Sequence, residues 1–150
     1  MSSQDPIGPT AEALVPPTRR AGGGDLGDVT LASGPEMPRA ARAIVSDWLY
    51  GRASAGVVSD AQLLISELVT NSFLHAENPS GDRVRLRAGT SNGSIWFEVG
   101  DAGRDGAVAL RTPSADRSGG FGLQLVDHLA SDWGVTHVAG TEVWFVLART

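Results

Sequence analysis

A chain of 150 residues with 41% hydrophobic and 19% charged residues is sized for one domain with a substantial core. Its net charge of −5 argues against direct nucleic-acid binding, and its basic residues are all arginine, which removes any mechanism needing a lysine nucleophile, Schiff base or phosphate-binding lysine. The absence of cysteine excludes disulfides, thiolate nucleophiles and thiolate-ligated metals, and three scattered histidines do not make a metal cluster.

Residues 1–27 carry Pro6, Pro9, Pro16, Pro17 and Gly22-Gly23-Gly24 without apolar periodicity, so a disordered tail is expected there and a folded domain over 28–150. No apolar run approaches the ~18 residues of a membrane span and the N-terminus lacks a signal-peptide core, so the expectation is a cytoplasmic protein without a membrane partner. Residues 28–32 alternate and predict a short strand. Pro35 and Pro38 then introduce a helix over about 38–50, with Met37, Ala41, Ile44, Val45 and Trp48 inward and Arg39, Arg42 and Asp47 outward.

A second helix is predicted over about 58–76, with Ser59 or Asp60 as its cap. Ala61, Leu64, Ile65, Leu68, Ser72 and Ala76 form its core stripe, and Glu67, Asn71 and His75 stack along one flank at i, i+4, i+8. Asn71 offers a carbonyl oxygen suited to a hard cation such as Mg2+. Glu67, one turn earlier, offers a carboxylate that can accept a proton or orient a nucleophile. Taken alone, the same helix is more commonly an amphipathic helix with a solvated polar edge.

The pattern next switches to period two. Val84, Leu86 and Ala88 alternate with Arg83, Arg85 and Arg87, Asn92-Gly93 supplies a hairpin turn, and Ile95, Phe97 and Val99 continue the apolar face. Three arginines on a strand read first as a solvated outer face. The second of these strands ends in Gly100-Asp101-Ala102-Gly103, and a segment over about 104–118 without an apolar face follows, a lid or a mobile stretch. Gly119-Gly120-Phe121-Gly122 opens a helix to about Ala130, and free N–H groups at such a start favour an anion. Strands at about 132–138 and 142–148 close the chain as an antiparallel hairpin. The whole predicts an α+β two-layer sandwich: a mixed, mainly antiparallel sheet with three helices on one face.

Individually, a turn aspartate and a glycine-rich loop are common. Their order carries more: Ser66-Glu67-Leu-Val-Thr-Asn71-Ser-Phe-Leu-His75-Ala76, then Val99-Gly-Asp101-Ala-Gly103, then Gly119-Gly-Phe-Gly122-Leu-Gln-Leu-Val-Asp127, then Trp133-Gly-Val and Val143-Trp-Phe. From about residue 28 to 148 this resembles the Bergerat-fold ATPases of the GHKL superfamily, and within them the stand-alone anti-sigma-factor serine/threonine kinases. The resemblance implies ATP and Mg2+ as cofactors. It implies that Asn71 ligates the metal, that Glu67 is the catalytic base or positions the attacking hydroxyl, and that Asp101 binds the adenine amino group while Gly103 lets the base pack closely. It also implies that Gly120, Gly122 and Leu123 donate backbone N–H groups to the phosphates, that Thr141 helps bind adenine, and that one of Arg104, Arg111 or Arg117 reaches the γ-phosphate.

Two departures stand out. Gly140-Thr141-Glu142 occupies the place where relatives often read Gly-Lys-Thr or Gly-Thr-Thr, bringing an extra carboxylate toward the adenine position, and Arg104-Asp105-Gly106 loosens the aspartate box. No phosphoacceptor-histidine dimerisation helix is present, so a complete sensor histidine kinase is not expected. The implied function is phosphorylation of a Ser or Thr of an anti-sigma-factor antagonist together with sequestration of a sigma factor, with a homodimer as one expected assembly. The alternative is a non-catalytic, nucleotide-gated protein-binding module of the same fold.

Overall fold

The computed structural model describes residues 24–32, 34–74, 83–91, 93–101, 121–136 and 142–149; at 72–74, 101 and 121–123 only the backbone is described. Five strands and three helices run in the order β1 (Asp25–Ala32), α1 (Met37–Leu49), α2 (Ala55–Leu74), β2 (Arg83–Ser91), β3 (Ser94–Asp101), α3 (Phe121–Leu129), β4 (Asp132–Thr136) and β5 (Glu142–Ala148). The sheet order is β1-β2-β3-β5-β4, and every described pairing is antiparallel, where a mixed sheet was expected. The path from β3 through α3 places β4 at the edge and leaves β5 beside β3.

All three helices cover one face of this sheet. Met37, Ala41, Val45 and Leu49 of α1, the α2 stripe and Val126 of α3 share one buried cluster with Val84, Leu86, Ile95, Phe97, Val99, Val143, Phe145 and Leu147. Phe97 and Phe145 are direct cross-strand partners, and their rings stack at 5.0 Å between centroids. The expected α2 stripe is buried at Ala61, Leu64, Ile65 and Leu68, joined by Val69. Each of its large side chains contributes roughly 1.5–3 kcal/mol on leaving water. That exceeds the ~1 kcal/mol penalty of a helical glycine, so α2 starts at Ala55 and carries Gly56 in its first turn. The cap is consequently Ser54, not Ser59 or Asp60: the Val57 N–H donates to Ser54 Oγ at 3.3 Å.

One further boundary moves. β1 begins at Asp25, inside the segment read as tail, and a register shift between Asp25 and Gly27 accompanies the extra residues. The expected tail otherwise, the expected lid and residues 75–82 lie outside the described residues. Between β2 and β3, Ser91 pairs with Ser94 across a two-residue loop whose Gly93 has φ +81°, a conformation that excludes most side chains.

The opposite face is polar and aromatic. Arg85 donates from Nε to Asp28 Oδ1 at 2.9 Å, and Arg87 donates from Nη1 to Glu98 Oε1 at 3.0 Å. The Arg87 guanidinium also lies 5.9 Å from the Trp96 ring centre, while the ring itself lies across Gly89, the residue directly opposite in β2. A Cβ at Gly89 would stand 2.3 Å from that ring. Arg85 and Arg87 are thus partnered, not merely solvated.

These pairs differ in burial, and burial decides their worth. Glu98 is buried, so Arg87→Ala withdraws a guanidinium from a desolvated carboxylate and should cost about 3 kcal/mol. Asp28 is 46% exposed, and Arg85→Ala should cost under about 1 kcal/mol. The hydrogen bond from Arg85 holds the Asp28 carboxyl below its usual range, against a smaller opposing effect of burial. A depressed carboxyl stabilises the fold at pH above its ordinary range and loses that contribution as pH falls through its folded value. Urea titrations of wild type and Arg85→Ala should therefore converge in acid and separate near neutrality.

Candidate functional site

The site is built on α2, whose rotation is set from three sides. Ala61, Leu64, Ile65, Leu68 and Val69 face the sheet. At 100° per residue, positions 62 and 66 then fall on one flank and 67 and 71 on the other. The first flank is bonded to α1: Arg42 Nη1 donates to Ser66 Oγ at 2.8 Å, and Gln62 Nε2 donates to the Arg42 carbonyl at 3.1 Å. Arg42 is therefore a part-buried clamp in the α1–α2 seam, not the outward residue expected. The second flank carries Glu67 and Asn71, both partly buried, and Glu67 lines a cleft with α3.

Between α2 and α3 lies an open cleft of about 580 Å³ lined by Glu67, Gln124, Leu125 and His128. Its α3 wall is held from behind. Val126 is in the core, and the Trp133 Nε1–H donates to Asp127 Oδ1 at 2.9 Å, which ties the last turns of α3 to the start of β4. At the other end of α3, the N–H groups of the first turn have no carbonyl four residues earlier to bind within the helix, and the helix dipole adds partial positive charge. Gly122 and Leu123 lie in that turn.

The structure thus brings Glu67 to α3, keeps Asn71 one turn along the same flank, and sets Gly122 and Leu123 in the first turn of α3. Asp101 is the last residue of β3, paired with Val84 of β2, in the series that runs through positions 95, 97 and 99 on the helix side. Gly103, Gly120, Thr141 and the lid arginines 104, 111 and 117 lie outside the described residues.

Glu142 turns out differently from the expectation that it crowds adenine. It opens β5 opposite Gly100, in the alternate set with Trp144 and Val146 on the face away from the helices, while Val143 and Phe145 face the core. There its charge acts on Arg85, helping to raise that guanidinium's pKa. Gln124, Leu125 and His128 were not singled out in sequence. Gln124 and His128, exposed at i and i+4 on α3, form a polar row opposite Val126, and that spacing was the available signal.

The donor set suits Mg2+ shared with phosphates. Among the described residues no group of three or more His, Asp or Glu is placed to hold a metal alone. A Mg2+ ion that takes one protein oxygen, from Asn71, and completes its shell from phosphate and water fits that arrangement. Among the described residues, no helix is long and apolar enough to cross a membrane.

No curated protein matches the chain. The family model described as histidine kinase-like ATPase domain matches residues 31–147, a span that takes in all three helices, the polar flank of α2 and the start of α3. Members of this group bind ATP, generally with Mg2+. The chain belongs to the histidine kinase-like ATPase domain family, of the GHKL type.

Proposed function

We propose that this chain is an ATP-dependent serine/threonine protein kinase of the anti-sigma-factor type, which phosphorylates a protein antagonist and restrains a sigma factor. The observation that carries this reading is Glu67. Its carboxylate stands in the α2–α3 cleft, one turn before Asn71 and beside the helix whose first turn offers N–H groups to phosphate.

A neutral hydroxyl is a poor nucleophile, so attack on a phosphoryl group needs positioning and a destination for its proton. When bound, Mg-ATP supplies the phosphoryl group and a metal charge that offsets the charge developing on it. Asn71 would hold the metal through its side-chain carbonyl. The N–H groups of Gly122 and Leu123 would fix the phosphates. Glu67 would accept a hydrogen bond from the serine or threonine hydroxyl and take its proton as the new oxygen–phosphorus bond forms. The bond from that phosphorus to the β–γ bridging oxygen breaks in the same step, and ADP leaves. Glu142, on the far side of the sheet, leaves the adenine end to Asp101 and Thr141.

Asn71→Ala should weaken Mg-ATP by at least about tenfold while changing metal-free ATP little, as read by calorimetry with and without chelator. Glu67→Gln keeps shape and hydrogen bonding but not basicity. It should leave Mg-ATP affinity within a few-fold and lower label transfer from radiolabelled ATP to a candidate antagonist by about 10²-fold or more. Undiminished transfer by Glu67→Gln would remove Glu67 from the chemistry. Wild-type protein that binds Mg-ATP and labels no antagonist would favour a nucleotide-gated clamp instead.

A further inference from the structure

We propose that the Gln124–His128 row of α3 is the acceptor wall of the Glu67 cleft, so that these two residues select the serine- or threonine-bearing segment and take no part in holding nucleotide. The inference rests on the phosphotransfer reading and concerns the side of the site that faces the protein substrate.

Direction along α3 carries the argument. Phosphates held at the first turn of α3 lie at one end of that helix. Gln124 is just inside this end, and His128 lies four residues further, about 6 Å along the axis. The cleft that these residues share with Glu67 therefore extends from the phosphate end toward the C-terminal end of α3. Displacement at phosphorus is roughly in line, so the attacking hydroxyl must come from the side opposite the leaving oxygen. With ADP leaving on the nucleotide side, the open side is this cleft, and its volume of about 580 Å³ accommodates a few residues of an incoming chain.

The lining also indicates which segment fits. Gln124 can both donate to and accept from an extended backbone, and His128 offers a ring nitrogen one turn away. Leu125, partly buried between them, presents apolar surface. A segment with its hydroxyl residue at Glu67 and an apolar residue next to it satisfies all four side chains. Gln124 and His128 are exposed, and neither is needed to bury the core, which leaves them free for an incoming partner.

The test uses the full chain, radiolabelled Mg-ATP and an array of serine-centred peptides with each neighbouring position varied. Wild type should prefer an apolar residue beside the serine. In Gln124→Ala and His128→Ala, KM for the best peptide should rise about tenfold, the loss of roughly one hydrogen bond, with kcat within about threefold and Mg-ATP affinity within about twofold. A structural role would instead move Mg-ATP affinity or the melting temperature together with both kinetic constants. Labelling by all three proteins with one preference and one KM would overturn the acceptor wall alone. Variants that lose Mg-ATP affinity while keeping peptide KM would reassign the row to nucleotide binding. Wild type that binds Mg-ATP and labels no peptide would remove the phosphotransfer reading, and the acceptor wall with it.

Discussion

Burial of one stripe of α2 against the sheet sets the direction of Glu67 and Asn71. With Ala61, Leu64, Ile65, Leu68 and Val69 in the core, the helix cannot rotate without exposing aliphatic surface at roughly 1.5–3 kcal/mol per large side chain. The 100° step then dictates the rest. Gln62 and Ser66 meet Arg42 of α1, Glu67 lines the cleft beside α3, and Asn71 follows one turn later on the same flank. A carboxylate and a carboxamide one turn apart acquire a fixed direction at the edge of the core, and that preorganisation is what separates a site from a solvated polar edge.

The sheet separates two kinds of electrostatics. On the helix side, Glu67 shares a cleft with Gln124, Leu125 and His128 of α3. On the far side, Asp28, Arg85, Arg87 and Glu98 pair among themselves, Trp96 lies under a guanidinium, and Glu142 adds its charge to Arg85. Glu98 is buried there beside Arg87, which offsets the several kcal/mol that an isolated carboxylate out of water would cost. Those charges are structural, and the alternation of β5 sets Glu142 among them.

Most of the architecture was legible because its periodicities are clean. The helix-facing residues of β2 and β3 occupy every second position, and the inward stripe of α2 holds from Ala61 to Val69. The misreadings have physical causes. Arg42 read as outward because a long arginine stem on a helix flank can also fold into a seam, and Ser66 was not recognisable as its acceptor. Ser54 was passed over as cap because Gly56 looked like a break, whereas a first-turn glycine costs little beside tertiary burial. Glu142 was placed by family position, since β5 is apolar on both faces: Val143, Trp144, Phe145, Val146 and Leu147 are all buried, so their phase is invisible in the sequence. Of the candidate site, the shared flank of Glu67 and Asn71 was legible from their spacing. The α3 wall was not, because only the folded chain shows that the exposed Gln124 and His128 share a cleft with Glu67.

The central claim is that Mg-ATP occupies the helix side of the sheet, between the polar flank of α2 and the start of α3. A titration of uniformly nitrogen-15-labelled protein with Mg-ATP, followed through backbone amide resonances, tests it most directly. Shifts should concentrate at Phe121–Gln124, around Glu67–Asn71 and at the end of β3 near Asp101, with Arg85, Arg87 and Thr30 of the far face unmoved. Shifts centred on the far face, or none at saturating Mg-ATP, would contradict the account.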